Sequence, residues 1–155
     1  MEALLTTIAI WLSTSVGLPA IHEPPRVEFV SSETMHAVRY KGLGSGERVR
    51  TALHPGAGIK ADQLPELVAL YDDNTRTIYL QKGWTGQTPA EVSVLVHEMV
   101  HHVQNVAGLK YGCPAEREKL AYRAQDRWLA RDGLNLLDEF ELDPMTLLVR
   151  TNCLF

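Results

Sequence analysis

His97, Glu98 and His101 stand in the run HEMVH at residues 97–101, which has the spacing H-E-x-x-H. On a helix, residues four apart lie one above the other on one face. His97 and His101 can therefore reach a single ion. Neutral imidazole is a good zinc ligand, and three protein ligands leave a fourth position for water. Glu98 lies about 100° around the helix from His97. From there it reaches the water rather than the ion, as a general base would. The competing reading is a chance match on an ordinary amphipathic helix. Leu95, Met99, Val103 and Val106 form one apolar stripe, and the two histidines point more than a quarter turn away from it. Ligands lining a cleft would do so; core histidines would sit within the stripe.

The other histidines read more plainly. His102 is about 100° from His101 and cannot share its ion without distortion. It is expected to be a hydrogen-bonded structural histidine, or else a support to the ligands. His22, His36 and His54 are isolated in expected loops and read as surface residues. Gln104 either orients neighbouring groups or, as the favoured reading, is an ordinary polar helix residue.

A catalytic zinc needs a third protein ligand. No histidine follows His102, so the remaining donors are acids on the next helix, Glu116 and Glu118. Leu120, Ala121, Ala124, Trp128 and Leu129 set the apolar face of residues 114–131. Glu118 lies about 50° from the centre of that face, and Glu116 nearly opposite. An inward carboxylate needs a partner. Zinc would be that partner for Glu118, with an arginine as the alternative. Glu116 can stay solvated, beside Lys119 or Arg123. Tyr122, one turn after Glu118, either supports a developing oxyanion or a ligand, or packs in the core with its tip at the surface. Gln125, one turn further along from Tyr122, is placed to support a ligand.

The elements that must position these residues are well signalled. Thr88, Pro89 and Glu91 form an N-cap, a proline at the first helical position and a capping box. They start a helix that runs to near Gly108. A second helix follows Gly112-Cys113-Pro114 and runs to about Arg131, with Gly133 as its stop. Leu67–Tyr71 and Arg76–Leu80 read as a hairpin turning at Asp73-Asn74. Val27–Val30 reads as a strand, residues 41–58 as a Gly-rich loop, and Asp143-Pro144 as the start of a short last helix. Leu4, Leu5, Ile8, Leu12 and Val16 recur at helical spacing in the first 20 residues. Those residues read as a helix of the folded domain rather than a signal peptide, because the basic n-region is missing. This order predicts a single α+β domain over 1–155, with a short sheet or hairpin packed on the H-E-x-x-H helix and the ligand-bearing helix after it.

The chain of 155 residues carries a net charge of -4 and shows no basic run. That argues against a nucleic-acid surface. No apolar stretch approaches the roughly 20 residues of a spanning helix. Cys113 immediately precedes the ligand helix, and Cys153 is near the chain end. Two small buried residues are one reading. A disulfide tying the C-terminal tail to the ligand helix is the expectation, and with it an extracytoplasmic location.

The run HEMVH, followed by Glu118-Lys119-Leu120-Ala121 on the next helix, resembles the zincin metallopeptidase superfamily, and within it the gluzincins. The second run is similar to their E-x-x-A pattern, although Tyr122 follows Ala121 where an Asp is usual. The resemblance covers roughly residues 65–130. It implies zinc held by His97, His101 and Glu118, and hydrolysis of a peptide or protein substrate with Glu98 as base. It also implies a hairpin edge strand above the active-site helix, and Arg76–Leu80 holds that place in the chain order. The alternatives are a non-catalytic zinc-binding or interaction domain, or a zinc hydrolase acting on another substrate.

Overall fold

The computed structural model describes residues 1–41 and 68–153. From residue 42 onward the expected loop over 41–58 lies outside the described residues, as do His54 and Leu67. Helix α1 (Glu2–Trp11) continues through one wider turn, Leu12–Val16, and ends at Gly17. Gly17 has φ +80°, a left-handed conformation that glycine adopts at little cost. Leu5, Ile8 and Leu12, from the expected stripe, are buried in the core.

Strand β1 (Arg26–Val30) leads into helix α2 (Ser32–Lys41). Helix α2 is not expected from the sequence. Its start is marked only by Ser31, whose hydroxyl accepts from the Thr34 amide at 3.3 Å. The segment is too polar for a clear periodic stripe. Its burial also corrects the surface reading of His36, which is only 7% exposed beside the fully buried Met35.

Strands β2 (Ala69–Asp72) and β3 (Thr77–Gln81) form the expected hairpin. The Asp72 carboxylate closes the turn, accepting from the Asn74 amide and the Thr75 hydroxyl at 3.0 Å each. The sheet order is β1-β3-β2, with β1 parallel and β2 antiparallel to β3. Arg76–Leu80 is therefore not an edge strand. β3 is central because β1 pairs with it from far away in the chain, a non-local contact that hairpin signals do not encode. Among the described residues β1 and β2 are the outer strands, and nothing pairs with the far edge of β2.

Helix α3 (Pro89–Val106) starts at the predicted capping box. The Thr88 hydroxyl accepts from the Glu91 amide at 3.1 Å, and the Glu91 carboxylate accepts from the Thr88 amide at 3.3 Å. Hydrogen bonds from the Thr85 amide and hydroxyl hold the Glu91 carboxyl down to about 2. Leu95, Met99 and Val103 are buried as expected, and so are Val96 and Val100. The helix is thus central, covered on more than one side. Helix α4 (Pro114–Leu129) packs along it and ends in one tight turn before Gly133. Two short helices follow, α5 (Leu136–Glu139) and α6 (Pro144–Thr151), the latter packed on α4. Among the described residues the domain is a small α+β fold of six α-helices and a three-stranded sheet.

Cys113, at the N-cap of α4, is disulfide-bonded to Cys153, with Cα atoms 6.1 Å apart. The bond closes a loop with a sequence separation of 40. Loop entropy for that length amounts to about 4 kcal/mol before any strain is subtracted. Replacing both cysteines by serine should lower the free energy of unfolding by up to that amount in urea titration. No change in the urea midpoint would show that the bond does not constrain the unfolded chain.

Candidate metal centre

One turn of α3 separates His97 from His101, so both side chains leave the same face of the helix. Glu118 comes from the first half of α4, packed against that face. His97 Nε2 is 3.1 Å from one Glu118 carboxylate oxygen, and His101 Nε2 is 3.2 Å from the other. The three donor atoms lie within 4.8 Å of one another, close enough to hold one metal ion. The two histidines are 8% and 7% exposed.

The opposite ring nitrogens are fixed by two glutamines. His97 Nδ1 is 3.0 Å from Gln125 Oε1. Gln125 Nε2 donates to Ser93 Oγ at 3.3 Å, and the Ser93 hydroxyl donates to the Ala90 carbonyl at 2.7 Å. That order of donors leaves Gln125 Oε1 as an acceptor, so His97 carries its proton on Nδ1. His101 Nδ1 is 2.9 Å from Gln104 Oε1. Gln104 Nε2 donates to the Arg117 carbonyl at 3.0 Å, and Arg117 Nε donates to Gln104 Oε1 at 3.2 Å. His101 is therefore protonated on Nδ1 as well. Both Nε2 atoms, as neutral imidazoles, turn lone pairs toward a carboxylate. Acceptors facing acceptors are tolerated only with a cation between them, either a proton or a metal ion.

The electrostatics of the cluster express the same demand. Burial works against ionisation of Glu118, but hydrogen bonds from His101 and His97 outweigh it and hold the carboxyl well below the usual carboxylate range. Burial likewise works against charging His101, yet the Glu118 hydrogen bond and the charges of Glu98 and Glu118 raise its pKa.

A family model described as a domain of unknown function, DUF6647, matches residues 1–154. The chain belongs to that family. No curated protein and no solved structure shows significant similarity to it.

Glu116 is outside the cluster, and its carboxylate accepts from the Gly112 amide at 2.7 Å. Gln104 takes the orienting role rather than that of an ordinary polar helix residue: it is 2% exposed and holds His101. Its position three residues after His101, on the same face, was the available signal. Arg117 carries no motif signal in the sequence. It pairs with both oxygens of Asp73 at 2.5 and 2.6 Å and donates to the His101 carbonyl at 3.2 Å, tying the hairpin turn to the helix that carries the two histidines.

His102 is the hydrogen-bonded structural histidine. It is fully buried, and burial pushes its pKa down, favouring the neutral ring. The Tyr71 hydroxyl accepts from Asn105 and donates to His102 Nδ1, each at 3.0 Å. His102 Nε2 donates to the Glu23 carbonyl at 2.8 Å.

The cluster opens on a cleft of about 540 Å³. Ala69, Leu70 and Tyr71 of β2 form one wall, and Glu98, Tyr122, Arg39 and Arg150 also line it. The Glu98 carboxylate has no hydrogen-bond partner among the described residues, although Glu98 is only 8% exposed. The Tyr122 ring stands edge-on to His97 with centroids 4.6 Å apart, and its hydroxyl accepts from Arg150 at 3.3 Å.

Proposed function

We propose that the chain is a zinc-dependent hydrolase, most simply a metallopeptidase, with His97, His101 and Glu118 as metal ligands. The observation that carries this reading is the meeting of two glutamine-fixed Nε2 lone pairs and one carboxylate beside an open cleft. Two imidazoles and one carboxylate suit zinc better than calcium or magnesium, which prefer oxygen donors. Three converging donors leave room for an exogenous ligand, whereas structural zinc sites are closed by four. When bound, zinc lowers the pKa of a water and polarises a carbonyl.

The chain's own groups supply the rest. Glu98 follows His97 on α3 and faces the same cleft, so its carboxylate can take the proton of the attacking water and pass it to the leaving amine. The Tyr122 hydroxyl accepts from Arg150, which leaves its own proton free for a developing oxyanion. Among the described residues no strand pairs with the outer edge of β2, which suits an extended peptide. Val68 O accepts from the Gln81 amide at 3.1 Å. Ladder bonds alternate along an antiparallel pair, so Ala69 and Tyr71 turn their N–H and C=O groups away from β3. A substrate strand could add there by main-chain pairing. The likeness of the two motifs to gluzincins points the same way. The disulfide supports an oxidising, extracytoplasmic setting.

The test is metal content together with cleavage of a broad peptide library, for the parent and for Glu98→Gln. Stoichiometric zinc with cutting that depends on Glu98 supports the reading; zinc-free protein, or cutting that ignores the substitution, overturns it. The glutamines give a separate check. Gln125→Ala removes the acceptor that orients His97 and should weaken zinc binding about 10–100-fold in chelator competition. A change below twofold would show that the ring is held by something else.

A further inference from the structure

Arg150, at the last turn of α6, lines two spaces at once. One is the metal cleft, and the other is an adjoining hollow of about 300 Å³. Val68, Val94, Leu136, Phe140 and Leu142 form its apolar side, and among the described residues Glu98 is the only acid lining it. In the metal cleft the acids are Glu98 and Glu118, both claimed by the chemistry above. Arg117 in that cleft is closed by Asp73, whereas neither Arg39 nor Arg150 has a carboxylate partner among the described residues, and of these two only Arg150 also lines the hollow. One of its five N–H donors is on Tyr122, which leaves the others for a ligand.

Its position is held rather than loose. Asp143 caps α6 by accepting from the Thr146 amide at 2.9 Å, and Cys153 fastens the end of that segment to the start of α4. Tyr122 links the guanidinium to the ring of His97. A planar cation set between the cluster and a partly apolar hollow suits a planar oxyanion beside an apolar side chain, which in a peptide is a carboxylate.

We infer that Arg150 takes a carboxylate of the substrate, and that the hollow takes the apolar side chain next to it. This deepens the peptidase reading and rests on it, since it names the substrate class for the same cleft. The carboxylate has two sources, the C-terminus of a peptide ending in an apolar residue or an acidic side chain beside such a residue.

Three octapeptides of one neutral sequence ending in Phe, each with a neutral fluorophore, separate these sources. The first has a free C-terminus, the second a C-terminal amide, and the third is the amide with Glu before the Phe. Binding is read by fluorescence anisotropy on zinc-loaded Glu98→Gln protein, so that the peptide stays whole, and again with Arg150→Gln or Arg150→Lys added. At least one carboxylate peptide should bind about tenfold tighter than the neutral amide, as a charge-assisted hydrogen bond allows. The gap should close in Arg150→Gln and return in part in Arg150→Lys. Zinc content and melting temperature, unchanged in the Arg150 variants, separate a lost contact from a lost fold. Preference for the free acid assigns the carboxylate to the terminus, and preference for the Glu amide assigns it to a side chain. Equal binding of all three, no binding of any, or a gap that survives Arg150→Gln overturns the inference. If the parent cuts no peptide while the gap holds, the peptidase reading falls and the carboxylate site stands. If the parent cuts peptides but binds all three alike, the reverse follows.

Discussion

Glu98→Gln should retain about one zinc per chain and an unchanged melting temperature while losing about 10²–10⁴-fold in kcat. The substitution keeps the size of the side chain and removes only its ability to accept a proton. Glu98 is not among the three donors that converge on the metal position, so the ion should stay. Its carboxylate has no hydrogen-bond donor among the described residues, so the fold should not miss the charge. Zinc content by atomic emission and turnover on any cleaved library peptide measure both halves. Parent-level turnover in this variant would mean that another group moves the proton. Lost zinc would mean that Glu98 belongs to the ligand set.

The second large effect is on the ion itself. His97→Ala, His101→Ala and Glu118→Ala should each abolish stoichiometric zinc, because two donors from this set do not make a tight site. Glu116→Ala should keep zinc, since its carboxylate is occupied with the Gly112 amide. Binding to the folded chain also stabilises it, by about 2.7 kcal/mol when free zinc is 100 times the Kd. A chelator should therefore lower the melting temperature of the parent and of Glu116→Ala. It should leave the three ligand variants where they already are. A chelator response that persists in Glu118→Ala, and is lost in Glu116→Ala, would move the ligand role to Glu116.

Much of this arrangement was legible in the chain because its causes are local. The capping box at Thr88 and Glu91, the four-residue spacing of His97 and His101, and the turn at Asp73 are settled within a few residues of backbone. The choice of Glu118 over Glu116 followed from helical phase alone, and α4 turns Glu118 to the two histidines. The disulfide was readable from placement, with one cysteine at each end of the segment it closes.

Tertiary structure decided what depends on partners distant in sequence. β3 became the central strand only because β1 pairs alongside it, which left β2 to face the cleft. α2 has little apolar patterning of its own and is a helix packed over the sheet, where Met35 and His36 find cover. Gln104 looks like any polar helix residue until Arg117 and the Arg117 carbonyl orient its amide toward His101. Arg150 lies 28 residues from Tyr122 and reaches the cleft because α6 folds back on α4. Helix phase and capping are short-range and are written in neighbouring residues. Strand order, amide orientation and the charge of a cleft are sums over contacts that exist only after the chain has closed on itself.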